Sequence, residues 1–252
     1  MLEKLNGLVL KQRNIGENDR ILVLLTKEKG VLEVCARGVK RMRSPLAAGC
    51  MPLCYSEFCL FEGKKYITVD AATPIRNFYQ LRLDPEKLAL GEYFCDLASV
   101  LTPESESAWP MLRLLLNTLA LLEDDHRQPL LLKAIFEFRS AAIAGFMPDL
   151  VGCAGCGVFE GEQMYFLPQD SCLLCGNCKA AHPQQGQGGV LLRPAVLKAM
   201  RQILYADEEK LFSFSLKGES LKQLDWITER YLLIHTGLQS RALSVYRALQ
   251  SP

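Results

Sequence analysis

Cys153-Ala-Gly-Cys156 and Cys175-Gly-Asn-Cys178 are two C-x2-C pairs separated by 18 residues. Two residues between thiolates let both sulfurs face one ion, and two such pairs supply the four soft ligands of a tetrahedral zinc site. Four thiolates fill the coordination sphere and leave no position for substrate, so the metal chemistry they imply is structural. Glycines follow Cys156 and Cys175, and they are expected to turn backbone N–H groups toward sulfur. Two alternatives stay open. Cys172-Leu-Leu-Cys175 is also a C-x2-C pair, and Cys172, Cys175 and Cys178 echo an iron–sulfur run that lacks its fourth cysteine and proline. His182, just beyond, is a candidate fifth ligand.

A second cluster has different chemistry. Arg37-Gly38-Val39-Lys40-Arg41-Met42-Arg43 puts four cations into seven residues, directly after the strand-like run Val31–Ala36. A cationic loop projecting from a small sheet is a device for holding polyanions; a solvated loop without a partner is the bland alternative. Lys11, Arg13, Lys64 and Lys65 are flanking candidates if their strands share that face, and Tyr55, Phe58, Phe61 and Tyr66 are either base-stacking rings or barrel core. Catalytic chemistry finds little. The chain has three histidines, His126, His182 and His235, the last at a helix end where a cation suits the dipole. It has no G-x-S-x-G, H-E-x-x-H, P-loop or G-x-G-x-x-G motif, so no enzyme is expected. Glu123-Asp124-Asp125 reads as a polar turn between helices.

The elements that must position these groups follow from size and pattern. The chain has 252 residues, 49% hydrophobic and 23% charged, as in an ordinary globular protein with two or three compact units. Its net charge of +1 hides a segregation: residues 1–80 carry +5, residues 81–152 carry −5 and residues 153–252 carry +1. No apolar run approaches the ~18 residues a membrane helix needs, and the start lacks a secretory leader. A cytoplasmic setting is expected, where ten cysteines point to a metal rather than to disulfides.

Leu5–Lys11, Arg20–Thr26, Val31–Ala36, Tyr55–Glu62 and Lys65–Ala72 read as five short strands separated by turn chemistry. Five strands in about 70 residues suit a small barrel, and the oligonucleotide-binding barrel is the commonest of that size. After Pro74 the pattern turns helical. Asp84-Pro85 starts a helix whose Leu90, Phe94, Leu97 and Leu101 form one stripe. Ser107 is placed to cap a Leu-rich interior helix. Further helices are expected over Pro129–Ala144, Pro194–Tyr205, Glu219–Ile234 and Arg241–Leu249, with Gln184–Gly189 as a link. Cys35, Cys50, Cys54, Cys59 and Cys95 fall in apolar settings and should pack as small hydrophobes. The organisation expected is multidomain: a five-stranded oligonucleotide-binding barrel over 1–80, a helical domain over 81–149 and 184–252, and a zinc-binding insert over 150–183.

Several segments carry a resemblance. Gly7-Leu8-Val9-Leu10-Lys11, Gly16-Glu17-Asn18-Asp19-Arg20, Thr26-Lys27-Glu28-Lys29-Gly30, Ala36-Arg37-Gly38-Val39-Lys40 and Arg43-Ser44 resemble, in order and spacing, the amino-terminal region of bacterial RecO. Gly145-Phe146 and Leu174-Cys175-Gly176-Asn177-Cys178 resemble the metal insert of many members. Tyr231-Leu232-Leu233, His235, Gly237 and Ser240-Arg241 are similar to the family's carboxy-terminal helical signature. The resemblance implies an oligonucleotide-binding barrel followed by a helical domain with a zinc site. It implies a non-enzymatic DNA-repair and recombination mediator, bacterial and nucleoid-associated. Such proteins bind single- and double-stranded DNA, anneal complementary strands and help load recombinase onto strands coated by single-strand-binding protein. The partners implied are RecR and the acidic, apolar tail of single-strand-binding protein. Two other classes stand beside it: a helical adaptor with incidental nucleic-acid contact, and a zinc-dependent RNA-binding protein.

Overall fold

The computed structural model describes residues 2–63, 66–103, 107–182 and 187–250. The chain gathers into two compact units, one of Met1–Arg127 with Ser240–Pro252 and one of Gln128–Gln239. Of the link expected over Gln184–Gly189, residues 184–186 lie outside the described residues.

The first unit is built on strands β1 (Leu2–Ile15), β2 (Asp19–Thr26), β3 (Gly30–Ala36), β4 (Cys54–Glu62) and β5 (Ile67–Asn77). They close into a barrel in the order β1-β2-β3-β5-β4, with all pairings antiparallel except β3 with β5. Closure depends on β1, which pairs with β4 through Leu2–Leu8 and with β2 through Gly7–Ile15. A register shift between Val9 and Lys11 bends it between the two partners. Inward residues alternate along each strand: Leu22 and Leu24, Val34 and Ala36, Phe58 and Leu60 are all in the barrel core. Burying a ring such as that of Phe58, fully covered, contributes about 1.5–3 kcal/mol. The opposite face of β2, with Ile21 and Leu25, is buried as well, and α1 and α2 pack against that strand. That double burial explains the unbroken apolar run Ile21–Leu25. One expectation fails at the end of β5. The strand continues through Pro74 to Asn77, and Pro74, paired with Ser56, sits beside the register shift between Tyr55 and Ser56, an irregularity of the kind where strands accept proline.

Between β3 and β4 the chain forms turns that plug one end of the barrel. Val39, Leu46 and Cys50 belong to the barrel core. Gly49 runs so close to β5 that a Cβ there would meet the Ala72 carbonyl oxygen at 2.6 Å, so no larger residue fits. Its own carbonyl accepts a hydrogen bond from Ser56 Oγ at 2.8 Å.

Helices α1 (Pro85–Leu101), α2 (Trp109–Leu122) and α7 (Arg241–Leu249) complete this unit. Asp84 caps α1, accepting from the N–H groups of Glu86 and Lys87, and Leu90, Phe94 and Leu97 are fully buried. Ser107 does not cap α2. Its hydroxyl donates instead to the Lys27 carbonyl at 3.2 Å, tying the helix entry to the β2–β3 turn. Cys35, Cys50, Cys54 and Cys95 are buried, and Cys59 partly so, as small core residues.

The second unit packs α3 (Pro129–Ile143), α5 (Pro194–Tyr205) and α6 (Gly218–Thr236) against one another. Between α3 and α5 lies a three-stranded sheet of β6 (Met164–Leu167), β7 (Cys172–Cys175) and β8 (Val190–Leu192) in the order β7-β6-β8, with α4 (Gly176–Ala181) following β7. These short strands lack a readable alternation, and the sequence reading did not include them. Inside the helices, Lys133 is fully buried with its Nζ 2.7 Å from Glu137, 2.8 Å from Asp225 and 2.7 Å from Glu229. Thr228 Oγ1 donates to the other Glu137 oxygen at 2.7 Å.

Candidate nucleic-acid interface and metal centre

The cationic cluster lies where the chain leaves β3. Arg37, Lys40, Arg41 and Arg43 are all exposed, while Val39 between them is anchored in the barrel. Two backbone bonds hold the turn: the Gly38 N–H donates to Asp19 Oδ1 at 2.7 Å, and the Lys40 N–H to the Asn18 carbonyl at 3.0 Å. The Asp19 carboxylate is thus engaged with backbone, not with an arginine. Among the described residues, none of the four cations has a carboxylate within ion-pair reach. The flanking candidates differ. Lys11 pairs with Asp96 at 2.9 Å and Arg13 with Glu33 at 3.4 Å. Lys64 and Lys65 lie outside the described residues. Of the aromatic candidates, Phe58 is core and Tyr55 half-buried, whereas Phe61 and Tyr66 are exposed.

The cysteine cluster forms where two turns meet. The Sγ atoms of Cys153, Cys156, Cys175 and Cys178 all lie within 4.8 Å of one another. Four sulfurs held tetrahedrally about 2.3 Å from a zinc ion are about 3.8 Å apart, and Cys156 and Cys175 are 3.7 Å apart. Cys153 and Cys175 are buried, Cys178 partly so, and Cys156 is exposed. Backbone N–H groups do turn toward sulfur, though the two glycines' own N–H groups go elsewhere. Gly157 N–H donates to the Cys153 carbonyl and Gly176 N–H to that of Gln163. Sulfur receives instead the Cys175 N–H, 3.2 Å from Cys153 Sγ, and the Cys178 N–H, 3.5 Å from Cys175 Sγ. Gly155 was not singled out from sequence, yet it is the residue that lets the two turns approach: a Cβ there would meet Cys178 Sγ at 2.9 Å.

Protonation fits the same geometry. Burial works to raise the Cys153 thiol, but the N–H groups of Cys175, Cys156 and Gly155 outweigh it and bring it down to about 6. Hydrogen bonding with Cys156, Cys175 and Cys153 pushes Cys178 up to about 12, which favours its protonated form. A divalent cation would displace that remaining proton. The donor set therefore fits one metal ion. Cys172 is not among the four sulfurs that converge. Burial, then Asp170 and Asp149, push its thiol up, away from the thiolate a ligand must be. His182 is also outside the cluster and ends α4, its N–H donating to the Cys178 carbonyl at 3.0 Å.

His235 has a more specific place than a helix dipole. Its Nε2 donates to the Pro168 carbonyl at 3.0 Å and approaches Ser171 Oγ at 3.3 Å, and its ring lies 4.3 Å from that of Tyr231. Tyr231 in turn donates to the Phe146 carbonyl at 3.0 Å. These two residues of α6 fasten the β6–β7 turn, and with it the cysteine insert, to the helices.

Known proteins align with both halves. The profile described as "Recombination protein O N terminal" matches residues 1–78, and that described as "Recombination protein O C terminal" matches residues 82–243. A protein named "DNA repair protein RecO" from Acetivibrio thermocellus is 34% identical over 229 residues, 91% of this chain and 90% of its own length. One of the same name from Symbiobacterium thermophilum is 30% identical over 253 residues, 99% of this chain and 98% of its own. A third, from Alkaliphilus metalliredigens, is 29% identical over 235 residues, 93% and 94% of the two lengths.

Proposed function

Because the chain belongs to the RecO family, we propose that it is a DNA-repair and recombination mediator that grips single- and double-stranded DNA by the phosphates. On this reading it anneals complementary strands and, with RecR, helps load recombinase onto strands coated by single-strand-binding protein. It would work in the cytoplasm, at the nucleoid. The observation that supports the reading is the turn after β3, where four exposed cations, anchored through Val39 and the Gly38 N–H, have no carboxylate partner among the described residues. Such a turn contacts phosphates and leaves base edges free, which suits a protein that must not impose sequence. Annealing then needs no catalytic group. Neutralising backbone charge on two strands lets their bases find each other, so we infer no enzymatic activity. The four cysteines are assigned one structural zinc ion, held by Cys153, Cys156, Cys175 and Cys178.

The test is a fluorescence-anisotropy titration of a labelled single strand at several salt concentrations. Each phosphate neutralised on a single strand adds about 0.7 to the salt slope, so four contacts give a slope near −3. Changing Arg37, Lys40, Arg41 and Arg43 together to Ala should weaken binding to every sequence and flatten that slope. An unchanged slope removes the turn from the interface.

The adaptor reading has one observation of its own. Helix α6 leaves Trp226 and Leu233 each 48% exposed, with the Arg230 guanidinium over the Trp226 ring at 5.2 Å and Lys222 one turn before. An apolar stripe edged with cations suits an acidic, apolar peptide such as the tail of single-strand-binding protein. Binding of that peptide without DNA, together with indifference to bare oligonucleotides, would favour the adaptor as the whole function.

A further inference from the structure

The barrel carries a second feature beside the cationic turn, one that phosphate binding does not use. Phe61, at the end of β4, is 50% exposed, and Tyr66, just before β5, is 43% exposed. Together with Arg37, Gly63, Thr68, Val69 and Asp70 they line a concavity of about 390 Å³.

Two pairings bring these residues together. The antiparallel β4–β5 ladder sets Phe61 opposite Thr68. The parallel contact that closes the barrel sets Cys35 beside Thr68, so Arg37 and Asp70, each two residues further on, arrive at the same place. Sequence reading could name the aromatic residues but not their neighbour, because Arg37 and Tyr66 meet only through that closure.

The chemistry selects the ligand. Half-exposed rings next to an exposed guanidinium are the parts of a stacking platform for single strands, where bases lie on rings and the backbone meets cations. The volume is at the small end of ligand pockets, suited to one nucleotide and not to a helix. Asp70 argues against a phosphate inside the concavity, since a carboxylate only accepts hydrogen bonds. It admits instead the N–H edge of a base, while Arg37 takes the phosphate outside. A duplex offers no free base face there. We propose that Phe61 and Tyr66 seat one unstacked nucleobase of a single strand, with Arg37 on its phosphate. The proposal rests on the reading that the barrel binds DNA, and it adds the element that tells a single strand from a duplex.

The test compares a single-stranded oligonucleotide with a hairpin duplex of equal length, using the full chain and its Phe61→Leu/Tyr66→Leu variant. The single strand should lose about fivefold or more in affinity, while the duplex stays within about twofold. Tyr66→Phe keeps the ring and should bind the single strand as the unsubstituted protein does. A readout that needs no variant accompanies these: 2-aminopurine placed along the strand should show one position strongly quenched on binding. Equal losses for single strand and duplex, no loss for either, or uniform 2-aminopurine emission would each overturn the base seat. If the unsubstituted protein binds neither DNA, the DNA-binding reading itself fails. If it binds both and the double variant binds both equally well, only the seat fails.

Discussion

The turn after β3 and the paired turns of the cysteine insert each collect four side chains of one kind, and they do opposite things with them. Around Arg37–Arg43 the backbone is pinned to Asn18 and Asp19 and Val39 is sunk in the barrel, so the cations spread outward and meet no carboxylate among the described residues. Around Cys153–Cys178 the backbone folds over Gly155, so the four sulfurs converge within 4.8 Å. Convergent groups satisfy one another or one ion and hold the fold together. Divergent groups leave their chemistry for something outside. Lys133 makes the same point within a single residue type: it carries the charge of Lys40, yet three carboxylates surround it inside the helices.

The comparison breaks most visibly at the metal centre. Cys153→Ser should remove the metal altogether, taking the content from about one ion per chain to near zero by elemental analysis. Binding free energies of structural zinc sites are about 10–16 kcal/mol in small zinc-finger peptides, so the unit of Gln128–Gln239 should also lose solubility or unfold earlier on heating. Normal metal content in that variant would mean that the sulfurs were wrongly assigned.

Next in size is the buried lysine. Lys133→Met removes the ammonium that Glu137, Asp225 and Glu229 share, and removing one partner of a buried ion cluster costs about 3–5 kcal/mol. Urea unfolding should show it as a lower midpoint. Arg41→Met, at an exposed position, should change stability by no more than about 0.5 kcal/mol. Equal effects at the two positions would erase the distinction between held and displayed charge.

A finer contrast lies among the displayed cations themselves. Arg41→Ala should lower the single-strand salt slope by about 0.7. Lys11→Ala should lower it by less than half as much, since Lys11 is already paired with Asp96 at 2.9 Å and must give up that partner to meet a phosphate. Matching slopes would place both residues equally on the DNA path.

What the sequence made legible follows the range of the interactions involved. Helices α5 and α7 have the expected bounds because their start and stop signals are local: Pro194 opens one, and Ser240 caps the other through the Leu243 N–H. The gathering of four cysteines was also legible, because C-x2-C spacing is a property of single turns. Contacts between distant segments were not. Nothing near Ser107 announces that its hydroxyl belongs to Lys27, and nothing near Pro74 announces a bulge against Tyr55. Nothing near His235, at the end of its helix, announces the Pro168 carbonyl that its ring meets. The barrel was foreseen as five runs, while the parallel β3–β5 contact that completes it was not, and that contact brings Arg37 to Phe61.

Cys172 offers the smallest effect and the sharpest use of it. By spacing alone it is as good a partner for Cys175 as Cys178 is, and a spacing argument predicts that its loss should matter. Geometry predicts otherwise. In β7 successive side chains alternate between faces, so three steps separate Cys172 from Cys175 and send their sulfurs to opposite sides of the strand. Cys175 and Cys178, by contrast, are brought together because the chain turns into α4 at Gly176, with Cys175 Sγ accepting the Cys178 N–H. Burial and the carboxylates of Asp170 and Asp149 also keep the Cys172 thiol protonated. Cys172→Ser should therefore retain full metal content by elemental analysis and shift stability by less than about 1 kcal/mol, the scale of one lost partly buried thiol. A metal loss comparable to that of Cys153→Ser would show that the ligand set is chosen by spacing along the chain and not by the face of the strand.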